Sequence, residues 1–72
     1  MKKKKKILDG VILKNLPNTT FLVEMNKTKK RIICYMSGKM RLNFIRLIYG
    51  DKVRVEFDKK DMSKGRIIYR TK

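Results

Sequence analysis

From residue 7 onward the hydrophobic positions of this 72-residue chain recur mostly at every second place, the spacing of strands that bury one face. Leu8, Gly10 and Ile12 alternate with Asp9 and Val11, and Gly10 predicts a bulge or tight bend in a strongly coiled first strand. "NLPNT" (15–19) predicts a turn, because Pro17 has no amide to donate and Asn18 accepts turn geometry. "TFLVEM" (20–25) sets Phe21, Val23 and Met25 on one face, and "NKTKK" (26–30) predicts a polar hairpin loop. "RIICYM" (31–36) follows with Ile32, Cys34 and Met36 inward and Arg31, Ile33 and Tyr35 outward. After a "YGDK" turn (49–52), "VRVEF" (53–57) is the cleanest alternation, with Val53, Val55 and Phe57 in and Arg54 and Glu56 out. "DKKDMSKG" (58–65) predicts a long charged loop, and "RIIYR" a last strand with Ile67 and Tyr69 on one face.

One segment breaks the period. In "SGKMRLNFIR" (37–46), at 100° per residue, Lys39, Asn43 and Arg46 share one face while Met40, Phe44 and Leu47 share another. Arg41 falls on neither, beside Ile45. The pattern predicts a short amphipathic helix, and taken alone its cations read as a solvated edge. Three strands, a helix and two strands is the order of the five-stranded OB barrel, in which the element between strands three and four caps the barrel floor. The expected fold class is therefore all-β: a five-stranded antiparallel OB-fold barrel with one short helix between strands three and four. Closure suits so short a chain, since it gives one interior and removes exposed strand edges. Met40, Phe44 and Leu47 are expected to plug that interior, which Phe21, Val23, Ile32, Val53, Val55 and Ile67 line. Residues 7–72 form the single expected domain, monomeric, and the polylysine run at 1–6 is expected to be a disordered tail, either a solvated segment that aids solubility or a loose electrostatic tether to phosphates.

Composition narrows the chemistry. Histidine is absent and Cys34 is the only cysteine, so the commonest general base, a disulfide and a zinc site all fall away. Cys34 reads as a small buried residue. Asp58 and Asp61 are the nearest approach to paired carboxylates for acid–base or Mg²⁺ chemistry, yet among Lys59, Lys60 and Lys64 they read as solvated loop charges. No cofactor is implied and no enzymatic site remains. Charge points elsewhere: 21 Lys and Arg against six Asp and Glu leave a formal net charge of +15, which calls for a polyanionic partner. No stretch approaches a transmembrane length, "MKKKKKILDG" lacks the apolar run of a signal peptide, and strands rather than a long cationic helix argue against a membrane surface. Nucleic acid is the expected partner. Backbone recognition needs cations at several points, and arginine can also grip a phosphate bidentately or stack on a base. Tyr35, outward beside the helix segment, is the first candidate for base stacking, whereas Phe21, Phe57 and Tyr69 sit on core-facing phases and Tyr49 fits either face. The absence of Ala, Gln, His and Trp beside abundant Lys, Ile and Asn suggests an AT-rich coding sequence, from a bacterium or an organelle.

At "SGKMRLNFIRLIYGDKVRVE" followed by "SKGRIIYR", with "LPNTTFLVE" upstream, the chain resembles bacterial and plastid translation initiation factor one, from about Asp9 to Arg70. The resemblance implies an OB-fold protein, not an enzyme, working in the bacterial cytoplasm or the plastid stroma. It implies binding to the aminoacyl-tRNA site of the small ribosomal subunit through ribosomal RNA, blocking premature tRNA entry and assisting initiation factors two and three. Carried over by position, it implies RNA contacts by Lys39, Arg41 and Arg46 of the helix segment, with Asn43 on the same polar face. Lys64, Arg66 and Arg70 around the last strand and Asn18 and Thr19 of the turn are implied as well. Three departures stand out: the polylysine start, a more basic "NKTKK" loop, and Leu42 where the family often carries a cation. Two other classes share the fold. A permanent ribosomal or general architectural protein would stay on finished ribosomes, and a cold-shock-type RNA chaperone would need a cluster of outward aromatics on adjacent strands.

Overall fold

A computed structural model describes residues 5–71. Five strands close into one barrel: β1 (Lys5–Leu16), β2 (Thr20–Met25), β3 (Arg31–Met36), β4 (Lys52–Asp58) and β5 (Asp61–Thr71), with α1 (Gly38–Leu42) between β3 and β4. Their order around the barrel is β1-β2-β3-β5-β4, β1 and β4 pairing to close it. This is the expected five-stranded architecture with one correction. The β3–β5 seam, Ile33–Met36 against Lys64–Ile67, is parallel, so the sheet is mixed rather than wholly antiparallel. The reason is topological: α1 and β4 lie between the two strands in sequence, and β5 returns alongside β3 after pairing antiparallel with β4.

β1 makes the closure possible by serving two partners. Its first half, Lys5–Val11, pairs with β4, and its second half, Gly10–Leu16, pairs with β2. The strand starts at Lys5, two residues inside the segment expected to be a disordered tail; residues 1–4 lie outside the described residues. The changeover occurs at Gly10, where a Cβ would stand 2.7 Å from Val23 Cγ1 and 3.0 Å from the Glu24 carbonyl oxygen. Gly10 therefore marks a close crossing of strands, while the bulge expected there sits three residues on: Ile12 faces Val23 and Lys14 faces Leu22, leaving Leu13 as the extra residue.

Alternation correctly marks most of the interior. Ile12, Phe21, Val23, Met25, Cys34, Met36, Val53, Val55, Phe57 and Ile67 are buried, joined from the α1 side by Met40 and Leu47. Ile32 is half-buried against this cluster. Two aromatics depart from expectation. Tyr69 is outside because β5 bulges: Val55 faces Ile67 and Arg54 faces Tyr69, so Ile68 is extra and the inward phase ends at Ile67. The Arg54 guanidinium lies 5.9 Å from the centre of the Tyr69 ring instead. Phe44 is not a plug at all; it is 91% exposed.

The charged run 58–65 is also shorter as a loop than expected. Lys59 and Lys60 alone form the turn, and β5 begins at Asp61. Asp58 accepts the Lys60 amide at 2.9 Å, and Asp61 accepts both the Ser63 amide and hydroxyl at 3.1 and 2.6 Å. These bonds from Ser63 hold the Asp61 carboxyl below its ordinary range. Both carboxylates are exposed, as expected, and each is engaged in local turn chemistry. No group of three or more His, Cys, Asp or Glu among the described residues is placed to hold a metal, and no helix there is long and apolar enough to cross a membrane.

Cys34 sits fully inside, its thiol pushed up to about 12 chiefly by burial, against the opposing pull of the Gly65 backbone. A folded pKa raised above the unfolded value means that the unfolded chain gives up this proton first. Stability carried by the protonated thiol is therefore intact below about pH 9 and drains away as pH rises toward 12. At neutral pH the native protein should resist a thiol alkylating reagent until denaturant is added. Rapid labelling without denaturant would contradict the burial.

Candidate nucleic-acid interface

Around α1 the chain holds polar groups outward on an apolar anchor. Ser37 starts the helix: its Oγ accepts the Met40 amide at 3.3 Å, and its own amide donates to the Ile67 carbonyl at 2.9 Å, fastening α1 to β5. The helix is only five residues long, shorter than the segment's periodicity suggests, and it ends at Asn43. Two bonds close it in the manner of a Schellman motif: the Phe44 amide donates to the Arg41 carbonyl and the Ile45 amide to the Met40 carbonyl, both at 3.1 Å. Ile45 packs against the core cluster to which Met40 belongs, the apolar contact that accompanies this motif. Beyond it, Leu47 drops into the interior. Anchored at Met40, Ile45 and Leu47, the segment leaves Lys39, Arg41, Asn43 and Arg46 exposed.

Backbone contacts bring other predicted residues to this end of the barrel. Asn18 and Thr19 both have positive φ, 61° and 57°, as the centre of a type I′ hairpin turn requires. The Thr19 carbonyl accepts the Met36 amide at 3.2 Å, so the turn is buttressed by the residue just before the Ser37 cap. On the other side Arg70 donates through Nη1 to the Arg46 carbonyl at 2.9 Å, tying the end of β5 to the connection. Asn18, Thr19, Lys39, Arg41, Asn43, Arg46 and Arg70 thus belong to one linked surface, all exposed.

Tyr35, Lys64 and Arg66 lie along the β3–β5 seam, where Tyr35 faces Arg66 and Ile33 faces Lys64 in register, and Tyr35 also faces Thr20 beside the turn. They rim a shallow depression of about 310 Å³ with Lys5, Glu56, Asp58 and Asp61. Arg66 is not a free cation: its Nη2 is paired with Glu56 Oε1 across β4. Arg66 is partly exposed while Glu56 is mostly buried, so the guanidinium can meet a phosphate while it stays paired with the carboxylate. Tyr35 is 47% exposed, an outward aromatic as expected.

The structure adds residues that periodicity does not mark. Leu42, Phe44, Ile48 and Tyr49, all on or beside the α1 connection, are exposed by more than half. Helical spacing carried from Met40 points Phe44 inward. The helix ends before that spacing applies, and nothing in "LNFIR" announces where it ends.

Comparison with known proteins gives a consistent result. A family model described as Translation initiation factor 1A / IF-1 matches residues 1–72. The solution structure of translation initiation factor one from the Wolbachia endosymbiont strain TRS of Brugia malayi superposes with a TM-score of 0.77 at 40% identity, over 94% of this chain and 79% of that one. The crystal structure of YjeQ from Thermotoga maritima matches with a TM-score of 0.76 at 27% identity, over 93% of this chain but 23% of that much longer one.

Proposed function

The chain belongs to the translation initiation factor 1A / IF-1 family, and from that membership we propose that it occupies the aminoacyl-tRNA site of the small ribosomal subunit during initiation. In this reading it binds ribosomal RNA as a monomer, blocks premature tRNA entry, and works beside initiation factors two and three before leaving. Lys39, Arg41, Asn43 and Arg46 provide the central RNA contacts, flanked by Asn18, Thr19 and Arg70, with Lys64, Arg66 and Tyr35 meeting RNA along the β3–β5 seam.

One observation carries the proposal: three cations stand on a segment that Met40, Ile45 and Leu47 pin to the core. Cations held on rigid backbone can select one RNA shape, whereas the same charges on a loose chain bind any polyanion. With a net charge of +15 the protein will bind RNA in bulk by counterion release, so the fixed set is what the specific site needs. The test is base-by-base chemical footprinting on isolated small subunits. Protection concentrated at the aminoacyl-tRNA site, and lost once subunits join into complete ribosomes, is the expected result. Protection that persists through elongation would instead describe a permanent ribosomal protein, and protection scattered along the RNA a general binder.

A further inference from the structure

Phe44 combines features that packing does not explain. It occupies the residue just past the helix cap, with φ of 54°, the left-handed region where glycine or asparagine is the ordinary choice. A bulky side chain there is a conformational outlier, and such outliers persist only where surrounding structure holds them. Here the holding bonds are the Phe44 and Ile45 amides on the Arg41 and Met40 carbonyls. The strain secures no burial in return, because Phe44 is the most exposed large hydrophobic side chain among the described residues. Its chain neighbourhood is cationic, with Lys39, Arg41 and Arg46 all exposed within five residues.

We propose that Phe44 is a stacking finger: the closed α1 turn holds its ring outward so that an unpaired RNA base lies against it, while Arg41 and Arg46 take the flanking phosphates. Charge chooses the occupant. An exposed aromatic on a segment that also carries exposed cations suits a base in a polyanionic backbone, since stacking supplies contact area and needs no particular base. This rests on the proposed binding to the small subunit and adds to it a residue that acts through its ring rather than through charge.

The experiment pairs thermal melts with equilibrium binding of the full chain to isolated small ribosomal subunits. Phe44→Gly and Phe44→Asn relieve the backbone, so their melting temperatures should equal or exceed the parent's, while binding weakens by about 5- to 100-fold. Phe44→Tyr and Phe44→Trp should keep binding within a few-fold, since each keeps a ring. Phe44→Leu separates the occupants: a base requires a flat partner and Leu loses most of the affinity, whereas an apolar pocket on a ribosomal protein would accept Leu. Retained binding by Phe44→Leu, or by Phe44→Gly, overturns the finger. If Phe44→Gly binds normally while Arg41→Ala and Arg46→Ala do not, the finger falls and the small-subunit reading stands; if the parent itself fails to bind small subunits, both fall.

Discussion

Gly65→Ala should lower the unfolding free energy by about 3 kcal/mol or more, the upper end of what overpacking a closed core costs. A Cβ at Gly65 would run into Val55 Cγ1 and stand 2.9 Å from Phe57 Cε1, both on the neighbouring strand β4. Neither neighbour has room to withdraw, because Val55 and Phe57 are themselves buried in the cluster that fills the interior. The alternative is for β5 to shift outward from the barrel, which would strain its pairing with β4 on one side and with β3 at the Cys34–Gly65 pair on the other. In a domain of this size, whose whole stability is of the order of 5–10 kcal/mol, that loss is severe. Two controls make the outcome specific. Gly38→Ala, with nothing within 4 Å of the added methyl, should be neutral or slightly stabilising. Val55→Ala removes the clashing methyl, so the double variant should melt higher than the sum of its two parents' losses predicts. Additive losses, or a harmless Gly65→Ala, would mean that the strands are not packed this closely.

Replacing Arg41 and Arg46 together with Ala should weaken small-subunit binding by tenfold or more at moderate salt and reduce the salt dependence by about two counterions. The fold should survive, because both side chains are exposed and the bond that ties this connection to β5 uses the Arg46 carbonyl rather than its guanidinium. Arg46→Lys should recover only part of the loss if the contact is bidentate or stacked, since Lys keeps a point charge alone. Arg70→Ala should behave differently: it deletes the donor that holds the Arg46 backbone, so it loosens the connection as well as removing a charge. Lys59→Ala, in the tight turn between β4 and β5, is the reference for a cation with no special placement. Binding and melting measured on the same variants decide the matter. If the Arg41 and Arg46 double variant loses no more than Lys59→Ala accounts for, the segment is a solvated face.

The alternation of side chains makes β2, β3 and β4 legible from sequence, because each buries one face of one wall and nothing interrupts the period. β5 is only partly legible. Its inward phase holds to Ile67 and then slips at Ile68, and a bulge of that kind depends on the partner strand, which the local sequence does not describe. Periodicity therefore assigns Tyr69 to the wrong face. It picks Met40 and Leu47 rightly as plugs and Phe44 wrongly, since the capping bonds at Arg41 and Met40 end the helix before its spacing reaches Phe44. The parallel seam is invisible for a simpler reason. Residues so far apart in sequence leave no mark in periodicity, and only the three-dimensional return of β5 brings Cys34 opposite Gly65. The cationic set of the α1 segment is legible as residue types, while its attachment to Asn18–Thr19 and to Arg70 rests on hydrogen bonds that no pattern encodes.

That same seam has a consequence for how the protein is made. β3 and β5 meet only through residues 33–36 and 64–67, about thirty positions apart, so a chain emerging at about 5–20 residues per second shows β3 for roughly 2–6 s before its partner exists. Hairpins β1–β2 and β2–β3 can form at once, since their turns are local. During that wait the outer edge of β3 is open, and β4 has only β1 beside it. Closure has to wait for β5, which enters a slot with a strand on each side. Until that moment the nascent molecule is an incomplete sheet whose free edges can recruit a neighbouring copy, and its large net cationic charge keeps such copies apart.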